Sequence, residues 1–184
     1  PAEPINGVMV SNLYQLANKP LKEKWEMPDG TVHPKSMEDI LKELRIHPEE
    51  LTGNHLIPFI PNIKKIDTKK DKRVASIAKI LANAASIHAA STYLQRETEW
   101  DFMAIYHDAI DHFCHSAMKF HPPQRQGIPD DVYENYKGVV EAGYMFHDMM
   151  LDRTLSMIDD NTTVIIVSDH GFHSDHLRPR YLIK

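Results

Sequence analysis

Two short stretches carry acid and imidazole side chains at spacings that suit metal chelation. In FMAIYHDAIDHFCH, residues 102–115, Asp111 and His115 stand four residues apart. In VIIVSDHGF, residues 164–172, Asp169 and His170 are adjacent and Gly171 follows. Carboxylate oxygen and neutral imidazole nitrogen are the usual non-thiol ligands of zinc, and they also suit manganese. On a helix, the D-x-x-x-H spacing puts Asp111 and His115 on one face, where both can reach one ion. Adjacent residues do not share a face in a regular helix or strand. Asp169 and His170 therefore converge on one ion only at a tight turn, and Gly171 lets the backbone leave that turn at torsions other residues resist.

Histidine is unusually frequent, with 12 in 184 residues, so each one needs a reading beside the plainer alternative. His107, Asp108 and His112 lie one helical turn from the first pair and are its register alternatives. His173, Asp175 and His176 follow the second pair and are secondary candidates for substrate or metal contact, against a solvated loop as the plain reading. His121 precedes two prolines and reads as surface, and His88 sits on an apolar helical stripe and reads as a core histidine. His147 and Asp148 read as a polar helix face, and Met145, Met149, Met150 and Met157 as packing. Lys64, Lys65, Lys69, Lys70 and Lys72 read as a solvated face, with a phosphate-rich substrate as the functional alternative.

Both pairs need elements that hold them. Trp100–Tyr106 and Thr162–Ser168 are short apolar runs and predict strands, the second buried on both faces. Each ends just before its Asp/His cluster. Val74, Ile77, Ile80, Leu81, Ala84, Ala85, His88 and Ala89 recur at three- and four-residue spacing and predict a helix within 71–97. A second long helix is predicted from Pro129 to Ile158, with proline at its first position and Asp130 and Asp131 near its N-terminal dipole. Between them, 108–119 is polar and His-rich and is read as opening with a helical turn, and 122–129 as a loop. Residues 1–35 are broken by five prolines around a short β-type run at 7–11. Ser36 to Asp39 predicts a capping box opening a helix to Arg45, His47 to Leu51 another helical turn, and 53–68 a loop. The order helix, strand, loop, helix, strand in the second half predicts an α/β layer fold with a mostly parallel sheet. In such sheets ligands bind outside the carboxyl ends of the strands, where both clusters fall.

Composition narrows the function classes. Hydrophobic residues make up 42% and charged residues 26%, which suits a globular chain with a real core. The net charge of -5 and the lack of a basic stripe exclude a dedicated nucleic-acid polymer binder. Apolar runs reach about five residues, against the roughly 20 that span a bilayer, so no membrane segment is expected. One cysteine excludes an internal disulfide, and no glycine pattern makes a phosphate loop.

The succession of D-x-x-x-H at Asp111 and His115, a long helix, and an apolar strand ending in Ser168-Asp169-His170-Gly171-Phe172 resembles the alkaline phosphatase superfamily. More closely, it resembles its type I phosphodiesterase/nucleotide pyrophosphatase branch. The motif resemblance covers about 100–172, and the opening PAEPINGVMVS is similar to a segment that follows an early sheet strand in bacterial members. It implies a three-layer α/β/α fold, with 12–95 as a mostly helical variable insertion or cap and 96–184 as the core sheet segment. It also implies two divalent metal ions, zinc first and manganese as the alternative, one on Asp111 and His115 and the other on Asp169 and His170. His173 and His176 are then substrate or secondary metal contacts. The implied activity is hydrolysis of small phosphate esters by two-metal displacement at phosphorus.

Such a site also needs a Thr or Ser nucleophile with another Asp ligand, expected upstream of what corresponds to Pro1, and a further His, expected downstream of Lys184. Neither has a counterpart in 1–184. The expectation is therefore an internal portion of a larger catalytic domain, with the remainder of that domain as partner and no hydrolysis by the chain alone. Two other readings compete. His107-Asp108 and His147-Asp148 supply the dipeptides of an HD-type metal phosphohydrolase, which requires 102–106 to be helical. A non-catalytic binding domain that keeps the fold is the third, and the intact Asp/His pairs weigh against it.

Overall fold

The computed structural model describes residues 1–15, 17, 19–23 and 25–173. Helices dominate: α1 Glu38–Glu43, α2 Gly53–Leu56, α3 Arg73–Glu97, α4 Ala109–Ala117, α5 Asp130–Tyr136 and α6 Val139–Leu155. A two-stranded antiparallel sheet pairs β1 Met9–Val10 with β2 Val32–His33, in register Met9 to His33 and Val10 to Val32.

α3 forms as its periodicity predicts. Val74, Ile77, Leu81 and Ala84 are buried, and the alanine-rich middle lets neighbouring elements approach closely. It ends where Thr98 turns extended and its hydroxyl donates to the Leu94 carbonyl at 2.6 Å. α4 packs on it and against α6, closing a core in which Phe59 stacks on Phe113 at 5.2 Å. Gly143 sets the α4–α6 approach, because a Cβ there would stand 2.8 Å from a Phe113 ring carbon. A salt-bridged clasp ties the start of α3 to α5. Arg73 donates to both Asp71 carboxylate oxygens at 2.7 and 2.8 Å, and the Tyr136 hydroxyl donates to the same carboxylate at 2.8 Å.

A smaller core of Tyr14, Met27, Val32, Leu41 and Ala90 holds the N-terminal segment against α1 and α3. The buried Tyr14 hydroxyl donates to the Leu41 carbonyl at 2.7 Å. Arg45 donates to the Trp25 carbonyl at 2.7 Å while its guanidinium covers the Trp25 ring.

Several expectations need correction. The helix predicted over 129–158 is two helices, because the chain turns at Lys137 and Gly138 before α6 restarts. The polar stretch 108–119 forms a full helix, α4, followed by a 3-10 turn at Met118–Phe120. The loop at 53–68 contains α2 and a 3-10 turn at Ile63–Lys65. No capping-box hydrogen bonds form at Ser36 to Asp39. They form instead at His47 with Glu50 and at Thr52 with His55.

The larger difference concerns the sheet. Residues 102–108 and 163–167 run without helix or ladder, and no parallel sheet exists among the described residues. Instead of being buried, Phe102 is 84% exposed, Ile165 78% and Val167 84%. The physical reason is pairing: a strand forms only when a neighbouring backbone takes its N–H and C=O groups. Neither segment finds such a neighbour among the described residues.

Candidate metal centre

α4 is the platform of the site. It turns Asp111 and His115 onto one face, with His115 Nε2 3.3 Å from Asp111 Oδ2. One turn earlier, Asp108 and His112 repeat the arrangement at the same 3.3 Å. Spacing within α4 does not separate these two pairs; what faces each one does. His115 meets the Phe172 ring edge to face at 4.9 Å, and the Asp111 charge reaches His170. Asp108 instead acts on His107 and on His147 of α6. The Asp111/His115 pair is thus the one turned towards the segment that carries Asp169 and His170.

That segment is held by local bonds. The Ser168 hydroxyl donates to the His170 carbonyl at 2.7 Å, and His170 Nδ1 lies 2.8 Å from the Gly171 carbonyl. His170 Nε2 stands 3.7 Å from Asp169 Oδ2. The Gly171 carbonyl, and then the Asp169 and Asp111 carboxylates, raise the His170 pKa above its ordinary value. Each of these groups favours the charged imidazolium. Donation from Nδ1 to a carbonyl leaves Nε2 of the neutral ring as the outward-facing lone pair, the arrangement in which imidazole ligands are oriented.

His173 is exposed, and His176 lies outside the described residues. Asp169 and His170 are themselves largely open to solvent, with side chains 83% and 61% exposed. Among the described residues no group of three or more His, Cys, Asp or Glu stands close enough to hold a metal ion. The donor set nonetheless fits zinc or manganese in kind: two carboxylate–imidazole pairs, the first on one face of α4 and the second on the segment that packs Phe172 against His115.

A different grouping was not legible in the sequence. The rings of His107, before α4, and His147 of α6 meet edge to face at 5.7 Å, and a charge on His88 of α3 would oppose one on His107, although their spacing follows no ligand motif. The sequence predicts His88 as a satisfied core histidine and His147, with Asp148, as a polar helix face. Both are half-buried, and each has a sealed ring nitrogen with no hydrogen-bond partner among the described residues. The helical requirement of the HD-type reading also fails, because 102–106 is not helix. The methionines divide: Met150 is buried, whereas Met145 and Met149 are exposed. Lys64, Lys65, Lys69, Lys70 and Lys72 are all exposed.

Comparison with known proteins gives one result. The family model described as type I phosphodiesterase / nucleotide pyrophosphatase matches residues 11–178. Searches of curated proteins and of solved structures found no match. The family match reaches well beyond the motifs at 100–172 and includes the helical portion ahead of them. With nearly the whole sequence covered, from just after β1 to beyond Asp169 and His170, the chain belongs to the type I phosphodiesterase / nucleotide pyrophosphatase family.

Proposed function

We propose that this chain supplies part of the metal centre of a phosphate-ester hydrolase, with Asp111 and His115 holding one divalent ion and Asp169 and His170 the other. The observation that carries the reading is the facing of the pairs: His115 meets Phe172, and Asp111 acts on His170, across two separate segments. Family membership supports the substrate class, small phosphate esters of the phosphodiester or pyrophosphate type.

The chain's own residues have distinct parts in this reading. α4 is a rigid carrier, so Asp111 and His115 arrive with fixed spacing. The Gly171 carbonyl orients His170, and the Phe172 ring packs edge to face with His115. Divalent ions bound there supply Lewis-acid stabilisation of charge on phosphoryl oxygens and a lowered pKa for the attacking hydroxyl. That hydroxyl, a Thr or Ser, and the remaining ligands are assigned to protein segments outside 1–184. The same segments supply strands that pair with 102–106 and 162–168, completing an alkaline-phosphatase-like sheet. Residues 12–95 then serve as the cap over the site and 96–184 as its core. Zinc is the first choice of metal and manganese the second.

The test uses the protein with its flanking segments and a chromogenic phosphodiester. Asp111→Asn and Asp169→Asn should each lower kcat/KM by more than about a hundredfold, beyond the loss expected for an outer-sphere partner. Each should also lose one bound ion by elemental analysis. Undiminished turnover in both variants would remove the assignment. Hydrolysis by residues 1–184 alone would overturn the placing of the nucleophile outside them.

A further inference from the structure

Asparagine followed by glycine is a chemically reactive pair, and Asn6-Gly7 is the one such pair in the chain. The reaction is internal and needs only water. The Gly7 backbone nitrogen, its proton lost to solvent base, attacks the Asn6 side-chain carbonyl carbon. A carbon–nitrogen bond forms there, the bond to the side-chain amide breaks, and that amide takes up a proton and leaves as ammonia. Water then opens the five-membered imide at either of its carbonyls, giving aspartate or isoaspartate.

Hydrogen bonding of the attacking nitrogen decides which asparagines react. An N–H that donates to a neighbour is held in place and must break that bond before it can attack the side chain behind it. After Asn12, the Leu13 N–H donates to the Ser11 hydroxyl at 3.4 Å. After Asn54 and Asn62, His55 donates to the Thr52 carbonyl and Ile63 to the Ile60 carbonyl, both at 3.0 Å. After Asn161, Thr162 donates to the Asp159 carbonyl at 3.2 Å. Asn83 and Asn135 lie within α3 and α5, where Ala84 and Tyr136 donate along the helix. Gly7 differs from all of these, because its N–H has no acceptor among the described residues. Asn6 and Gly7 are also both exposed, so solvent base reaches the amide and water reaches the imide. Gly7 sits at φ +148°, a torsion that side chains resist, and it brings no Cβ to hinder ring closure.

We propose that Asn6 is a site of spontaneous modification, converting in water to aspartate and isoaspartate ahead of every other described asparagine. Conversion puts a carboxylate where a neutral amide stood. Isoaspartate also routes the backbone through the side chain and so adds one carbon between Ile5 and Gly7. Both changes fall next to the Ile5 carbonyl, which lies 3.2 Å from His33 Nε2, and three residues before β1. The modification therefore acts on the β1–β2 sheet, and it does not depend on the proposed hydrolase function.

The test incubates the whole chain in heavy-oxygen water at mildly alkaline pH and reads each asparagine by digestion and tandem mass spectrometry. Asn6 is expected to convert at least about tenfold faster than the asparagines whose following amides are bonded. Both products should carry heavy oxygen. Asn6→Gln should remove the fast conversion, because the longer side chain must close a six-membered ring. Urea separates the fold from the sequence: it breaks the bonds on the other amides, so those sites should speed up while Asn6 does not. Conversion at Asn6 no faster than at another described asparagine in the folded chain overturns the proposal. So does an acceleration of Asn6 in urea as large as at the other sites, which would show that the fold protects Gly7 as well.

Discussion

At the scale of single residues, the molecule contrasts two kinds of histidine. His170 is open to solvent between a carbonyl and carboxylates, so its pKa rises. His107 is buried beside His147 and His88, so its pKa falls to about 4, with Asp108 opposing the shift only in part. The second case has a consequence for stability. A histidine with a depressed folded pKa binds fewer protons folded than unfolded, so its contribution to stability is complete above its unfolded pKa near 6.5. That contribution is lost as pH falls from there to about 4. In the metal-free chain, denaturant melts should show a loss of about 2–3 kcal/mol over that window, with His88 and His147 acting in the same direction. His107→Phe should flatten the dependence. A melt equally steep in that variant would show that other groups carry it.

At the scale of elements, the site depends on how α4 sits against α6. Gly143 makes that approach possible, since an added Cβ would press into the Phe113 ring. Gly143→Ala gains about 1 kcal/mol of helix propensity and meets an overpacking cost of about 1–3 kcal/mol, so a net loss of up to about 2 kcal/mol is expected in equilibrium melts. Because Phe113 lies between Asp111 and His115 on α4, the same variant should also weaken metal binding at that pair. A variant as stable as the parent with unchanged metal affinity would mean that the ring yields freely. α4 also marks the limit of reading elements from sequence. Its polar surface hid a nine-residue helix whose Ala109, Phe113, Cys114 and Ala117 face is buried. The Asp/His spacing was visible without that helix, but the chelating geometry follows from it.

At the scale of the whole molecule, the apolar surface is uneven. Phe102, Tyr106, Ile165, Ile166 and Val167 are exposed in the extended segments, and Tyr144, Met145 and Met149 on α6. Patches of this kind mark interaction surfaces. If the 162–168 run belongs to a sheet completed by other segments, its residues contribute little to the stability of 1–184 alone. Ile165→Lys should then shift the melt of this chain by less than about 0.5 kcal/mol, whereas Ile77→Ala, in the α3 core, should cost about 2–5 kcal/mol. In the protein with its flanking segments, Ile165→Lys should abolish soluble folded product. Equal tolerance in both contexts would show that this run pairs with nothing. No described helix is long and apolar enough to cross a membrane.

What the sequence by itself determined is local. Four-residue spacing on α4, the adjacency of Asp169 and His170, the periodicity of α3 and the family of the chain all follow from neighbours along the backbone, and they could be read without coordinates, whereas Gly171 does not take the left-handed torsion expected of it. The apolar runs at 102–106 and 162–168 were equally visible, but whether they become strands depends on partners that sequence adjacency cannot supply. Only the tertiary structure decided that Asp111 rather than Asp108 faces the second pair. It also set the rings of His107 and His147 edge to face, 5.7 Å apart, where α4 packs against α6. The physical reason is the same in each case: periodicity is set by bonds a few residues apart, whereas proximity between elements is set by the burial of their faces against one another.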